Sequence, residues 1–160
     1  MKDNKVSIST LEENIQHTVR LTRLTERYIR IFSRNLDFRL YNDAEVLNGL
    51  SEFARRNRQT RIEVLVQDPM PAVKRDHGLI KLYQRISSHL EIRLVHQDYQ
   101  QLNMAWLLSD SLHYLEREAA NHYEAELVMD NPHQTNNRVN QFNEIWNKSL
   151  PDVRLRRLYI

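Results

Sequence analysis

Ser33, Arg34, Asn35 and Asp37 follow directly on the apolar run Tyr28-Ile-Arg-Ile-Phe32, so hydrogen-bonding groups are concentrated where a buried strand ends. A guanidinium at Arg34 can hold a phosphate or carboxylate through two parallel hydrogen bonds, and Asp37 can orient it or accept a ligand hydroxyl. The same two side chains can instead pair with each other and only tie the loop down. Tyr41 offers its hydroxyl to the same place or its ring to the core. Asp68, before Pro69, caps a turn or meets a ligand, and His77, beside Gly78, is a proton donor, an anion partner or a half-buried helical ring. Gly49 and Gly78 are the only glycines in the chain, which excludes a Walker loop and a dinucleotide fingerprint, since both need clustered glycines for close phosphate approach. There is no cysteine, no pair of histidines at zinc-binding helical spacing and no glycine-flanked serine. No cofactor and no metal are expected.

These groups need elements to position them. Thr10 with Glu13 reads as a capping box for a first helix with Leu11, Ile15, Val19 and Thr22 on one side. Tyr28, Ile29, Ile31 and Phe32 place apolar side chains on both faces of the strand that follows, as a covered central strand requires. Asn42 or Asp43 caps a second helix carrying Val46, Leu47, Leu50, Phe53 and Ala54. Arg61–Val66 is a strand stopped by Pro69. Pro71 opens a third helix with Val73, Leu79, Ile80, Tyr83 and Ile86 on its buried face, and His89–Val95 is a third strand. This βαβαβ order predicts parallel neighbouring strands whose carboxyl ends bring Ser33 to Asp37, Gln67 with Asp68, and His96 to Asp98 to one edge. After Tyr99 the pattern changes to short strands at 105–108, 112–115 and 125–129, with a tight turn at Ser109-Asp-Ser111. Asn131-Pro132 caps a last helix whose Val139, Phe142, Ile145, Trp146 and Leu150 face the sheet, and Pro151 ends it. The fold class is α/β: a mixed, mostly parallel sheet with helices on both faces, in one domain over residues 1–160.

With 160 residues, 41% hydrophobic and 28% charged, the chain has material for one packed core. Its 23 basic against 21 acidic residues make no broad electrostatic case for nucleic acid, although Val153-Arg-Leu-Arg-Arg-Leu-Tyr159 is locally basic. Met1 to Thr10 has no apolar stretch of signal-peptide type and no run reaches membrane-spanning length, so the expected location is cytoplasmic, with no membrane span.

The order of helix, βαβαβ, strand hairpin, further strand and closing aromatic helix resembles one half of the phospholipase D superfamily. In that family a strand carries histidine-x-lysine, an aspartate follows after four intervening residues, and a glycine-serine pair comes later. With Asp110 as the aspartate, Asn103 takes the histidine position, Ala105 the lysine position, and Arg117 with Glu118 the glycine-serine pair. The resemblance implies that Asp110 joins Ser33, Arg34, Asp37 and Asp68 in one cleft, and an Asp110 on the opposite edge would contradict this alignment. Family catalysis uses one histidine on phosphorus, another as general acid and lysine for the oxyanions, roles that asparagine and alanine cannot fill. The chain is also similar to bacterial domains of this degenerate type, some joined to an acetyltransferase domain, which implies an accessory role and a possible partner of that kind. Single-motif relatives pair their halves, which implies a homodimer.

The reading that follows is a non-catalytic ligand-binding or regulatory module for an anionic or phosphorylated ligand. One alternative is an enzyme using Arg34, Asp37, Asp68 and His77 on a phosphorylated or carboxylated small molecule. The other is a nucleic-acid binder through Arg55, Arg56, Arg58 and the basic tail, which the near-balanced charge disfavours. His113 and His122 lie nearest the degenerate motif, and His113, alternating with Tyr114 on a strand, reads as structural.

Overall fold

The computed structural model describes residues 4–152 together with Arg154 and Leu155, so most of the basic tail from Val153 to Tyr159 lies outside the described residues. The first half of the chain forms β1 (Lys5–Ile8), α1 (Leu11–Leu24), β2 (Tyr28–Ser33), α2 (Phe38–Tyr41), α3 (Ala44–Arg55), β3 (Arg61–Val66), α4 (Met70–Lys74), α5 (Gly78–Arg85) and β4 (Leu90–Leu94). The second half adds β5 (Ala105–Ser109), β6 (His113–Arg117), β7 (Ala125–Val128), α6 (Pro132–Lys148) and β8 (Leu150–Pro151).

All eight strands form one sheet in the order β1-β7-β6-β5-β2-β3-β4-β8. Parallel pairing joins β2, β3 and β4, as the βαβαβ order predicts. The remaining pairings are antiparallel. The mixed sheet is therefore parallel at its centre and antiparallel toward both ends. Within β5, β6 and β7 the physical reason is connection length, because the turns between them are too short for the crossover that a parallel pair needs.

Side chains alternate along β2, and each set finds a different helical layer. Ile29 and Ile31 join Val64, Ile92, Leu107 and Leu127 in a core closed by Leu21 of α1, Leu50 and Phe53 of α3 and Leu79 of α5. Phe32 points the other way and joins Leu65, Trp106, Leu108 and Tyr114 under Val139, Phe142, Ile145 and Trp146 of α6. Each fully buried aliphatic or aromatic side chain contributes about 1.5–3 kcal/mol relative to an exposed one, so both layers anchor β2 from its two faces.

The caps explain where the helices begin. Thr10 Oγ1 accepts the Glu13 N–H at 3.1 Å and the Glu13 carboxylate reaches back to the Ser9 N–H at 3.2 Å. Of the two cap candidates before α3, Asp43 fills the role, accepting from Glu45 and Val46 at 3.0 and 3.2 Å. Asn42 instead accepts the Gly78 N–H at 2.7 Å and joins α3 to the start of α5. Where α1 and α3 approach, Gly49 is needed because a Cβ there would collide with Thr22 Oγ1.

Three features differ from the sequence expectation. The helix read from Pro71 through Ile86 is broken into α4 and α5, with Asp76 at φ 55° between them and His77 capping the second. The segment 38–41, read as part of a loop, makes a short helix capped by Asp37. β1 and β8 lie in segments read as a polar entry and a helix end, and Leu150 is 74% exposed on β8 rather than packed from the last helix.

Candidate functional site

Because β2, β3 and β4 are parallel, their carboxyl ends bring residues 33–37, 67–69 and 95–102 to one edge of the sheet. β5 runs antiparallel to β2, so its beginning, with Asn103 and Ala105, comes to the same edge, as does the end of β6 at Arg117. The first turn after β2 is built by side chains. Ser33 Oγ accepts the Leu36 N–H at 2.9 Å, and Leu36 adopts φ 61° with its side chain fully buried. Asp37 then caps α2 by accepting the Arg39 N–H at 3.2 Å.

The partner of Asp37 comes from across the sheet. Arg117 Nη1 donates to its Oδ2 at 2.9 Å, with side-chain exposures of 5% for the arginine and 16% for the aspartate. The Tyr123 hydroxyl donates to Oδ1 at 3.3 Å, and the Arg117 guanidinium lies 5.5 Å from the centre of the Tyr123 ring. Tyr41 lies buried in the fields of this pair, and burial pushes its phenol up to about 12. It is a packed ring and not a phenol poised to ionise.

Arg34 has different partners from the one weighed for it. Its Nη2 donates to the carbonyl of Leu102 at 2.8 Å and more distantly to Gln100 at 3.4 Å. Gln67 Nε2 reaches the same turn, at 2.8 Å from Leu102 O. Arg34 and Gln67 together clasp the segment leading into β5, so an internal Arg34–Asp37 pair is replaced by Arg117–Asp37. Asp68 is exposed and accepts the Met70 N–H at 3.2 Å at the start of α4, the capping use of the two considered.

His77 is 1% exposed and bridges two segments. Its Nε2 lies 2.7 Å from the Leu36 carbonyl, and its Nδ1 accepts the Leu79 N–H at 3.0 Å, an arrangement of a neutral ring protonated at Nε2. Burial lowers its pKa below the usual 6.5, more than the Leu36 carbonyl and Asp37 raise it, while Arg75 lowers it further. With the folded-state value depressed, the unfolded chain binds the proton more readily. The His77 contribution to stability is therefore present above 6.5 and lost as pH falls through the folded value. Melting temperature should decline more steeply on acidification for the native protein than for His77→Gln, and parallel declines would show that His77 is not the titrating group.

Asp110 is a correction. It lies in the turn after β5, at the beginning of β2, and its carboxylate accepts the N–H groups of Glu26, Arg27 and Tyr28, each at 2.9 Å. A strand antiparallel to β2 that starts at the carboxyl edge must finish at the other one, so Asp110 is separated from Arg34 by the length of β5. The alignment fails as a description of one cleft, although Asn103, Ala105 and Arg117 do reach the carboxyl edge. His113 sits beside Asp110's edge, 8% exposed, with Nδ1 accepting the Asp130 N–H at 2.9 Å, a structural bond. His122 is exposed and lines a cavity with Glu116, Glu118, Glu124 and Glu126. Among the described residues no group of three or more histidine or acidic side chains is placed to hold a metal ion, and no helix is long and apolar enough to cross a membrane.

Beside α2 the carboxyl edge holds a cavity of 260 Å³ lined by Asn35, Asp37, Phe38, Arg39, Arg75 and Tyr123, together with Ala120 and Asn121; a second one, of 510 Å³, lies at the end of β4 around His96 and Lys148. Arg75 stacks 3.9 Å above the Phe38 ring, whose edge meets His77 at 5.5 Å between centroids. Among the described residues neither Arg39 nor Arg75 has an acidic partner. Neither arginine stands out in the sequence: Arg39 lies among the polar residues after β2, and Arg75 shares a cavity with it where the third helix breaks.

This sheet order, with a strand hairpin that begins at the carboxyl edge, is that of a phospholipase D-like fold. The solved structures agree. Nuc from Salmonella typhimurium, a phospholipase D family member, superposes with a TM-score of 0.67 at 9% identity, over 92% of this chain and 98% of that one. NucT from Helicobacter pylori gives 0.67 at 7% identity, over 94% and 100%. TrmBL2, an archaeal chromatin protein with a novel mode of DNA binding, gives 0.68 at 12% identity over 94% of this chain, which spans only 54% of that protein. None of the curated proteins matches by sequence. Residues 10–158 match the model of DUF7931, a domain of unknown function, and the chain belongs to that family.

Proposed function

We propose that the protein is a non-catalytic ligand-binding or regulatory module on a phospholipase D-like fold, with an anionic or phosphorylated ligand at the carboxyl edge of the sheet. The observation that carries this reading is a positively charged cavity at the carboxyl edge, beside a strand start that offers neither a nucleophile nor a lysine. Asn103 and the buried Ala105 stand where β5 begins at this edge, and an asparagine cannot attack phosphorus nor an alanine stabilise an oxyanion. Beside them, Asp37 is already neutralised by Arg117, while Arg39 and Arg75 face the cavity without acidic partners among the described residues. Ser33, Arg34, Asp37, Tyr41 and His77 then serve as the frame of the site, with Asp68 at its rim. One domain spanning the chain, a cytoplasmic location, a homodimer and an acetyltransferase partner domain belong to the same reading, the last two on the family resemblance alone.

The test is a thermal-shift screen against nucleotides, sugar phosphates, acyl-coenzyme A and short duplexes, run beside a phosphodiester hydrolysis assay. A ligand at a hundred times its Kd should stabilise by about 2.7 kcal/mol, roughly 5–10 °C for a chain of this size, with no turnover. Hydrolysis that disappears in His77→Ala would favour the enzyme instead. A salt-dependent shift confined to duplexes would favour the nucleic-acid binder.

A further inference from the structure

We propose that the 260 Å³ cavity beside α2 is a binding site for the terminal phosphate of a small phosphomonoester, held between Arg39 and Arg75. This rests on the reading of the carboxyl edge as a ligand site and adds the residues and the chemical class. Two arginines, Arg39 and Arg75, line the cavity with a single acidic residue, Asp37, and the Arg117 bond at 2.9 Å already satisfies that carboxylate. The uncompensated charge at the cavity is therefore about that of a dianion, which a phosphomonoester carries near neutral pH and a phosphodiester does not.

Geometry supports the same class. Arg75 is held over Phe38 at 3.9 Å by cation–π contact, so one guanidinium is oriented before any ligand arrives and loses less freedom on binding. Phe38 is in turn set by its edge contact with His77, whose buried bond to Leu36 fixes the loop from below. Asn35 and Asn121 also line the cavity, and their amide groups are neutral donors by type. A volume of 260 Å³ is below the roughly 300–1,000 Å³ of pockets that engulf a whole small ligand, so the site takes a head group and leaves the remainder outside. A nucleic-acid backbone, with one charge per phosphate, gains affinity from a groove that follows several phosphates, and a single small recess does not provide one.

The experiment titrates ¹⁵N-labelled full-length protein with inorganic phosphate, phenyl phosphate, acetate and a short DNA duplex, and follows the amide signals. Phosphate and phenyl phosphate should shift residues 35–39, Arg75 and 120–123, with acetate at least about tenfold weaker. Arg39→Gln and Arg75→Gln should each weaken phenyl phosphate about ten- to a hundredfold. Phe38→Leu, which removes the stacking platform, should weaken it by less, and Arg27→Gln at the opposite edge should leave it unchanged. Because Arg39 and Arg75 are exposed, their variants should melt like the native protein. Binding that survives both arginine substitutions, or shifts centred elsewhere on the carboxyl edge, would overturn this assignment while leaving the wider ligand-binding reading intact. Duplex binding that Arg39→Gln abolishes, with no effect of phenyl phosphate, would replace the phosphomonoester by nucleic acid. If neither these probes nor any ligand of the thermal-shift screen perturbs this edge, both readings fall.

Discussion

Arg117→Ala should destabilise the protein by about 3–5 kcal/mol, because it leaves a buried carboxylate without its counter-ion. Asp37 keeps only the Tyr123 hydroxyl at 3.3 Å and the Arg39 N–H at 3.2 Å once the 2.9 Å bond from Arg117 is gone. Its 16% side-chain exposure lets some water reach it, which argues for the lower part of that range. The double variant Arg117→Ala with Asp37→Ala removes the stranded charge as well. It should recover part of the loss, short of about 1 kcal/mol for the missing cap of α2. Urea denaturation of the native protein, both single variants and the double variant gives the coupling directly. Additive effects would mean that the two side chains do not hold β6 and the loop after β2 together, and the frame proposed for the cavity would lose its main strut.

Asp110→Ala should cost about 2–4 kcal/mol and leave ligand binding at the carboxyl edge untouched. Three N–H groups at the start of β2 lose a charged acceptor, each such bond contributing about 1.5–3 kcal/mol where water does not replace it. Partial exposure of the turn keeps the total below their sum. The backbone of Asp110 sits at φ 52°, where alanine adds about 1–2 kcal/mol of strain, so Asp110→Gly should be less damaging than Asp110→Ala by that amount. Thermal melts of the two variants separate lost bonds from strain. A variant that melts like the native protein but no longer binds phosphate would restore Asp110 to the ligand site and overturn its structural role.

The motif aspartate shows what the sequence can and cannot deliver. The central strands were legible because Ile29, Ile31, Val64 and Leu65 are apolar on both faces, a pattern that only a covered strand needs. The carboxyl edge followed from their shared direction. Asp110 was misplaced although the needed fact was available: a short strand paired antiparallel to β2 ends at the far edge. Other features were not legible at all. Leu150–Pro151 is too brief for a period-two pattern, and Lys5–Ile8 alternates polar with apolar over only four residues, the least that such a pattern needs. The break between α4 and α5 depends on the His77 ring capping its own helix, an interaction that hydrophobic spacing does not encode. Arg117 was assigned to a glycine position of the motif frame, and its bond to Asp37 joins residues that only the folded sheet brings together.

The sheet order also fixes when each strand can find its place as the chain leaves the ribosome. β2, β3 and β4 lie within residues 28–94 and can pair with one another before any later strand exists. β1, made first, has a single neighbour, and that neighbour is β7, with Lys5 opposite Val128. β1 therefore waits, its ladder groups unmet, until Ala125–Val128 has been made, and its brevity and the alternation of Lys5 and Ser7 with Val6 and Ile8 limit the apolar edge it shows to water until its partner arrives.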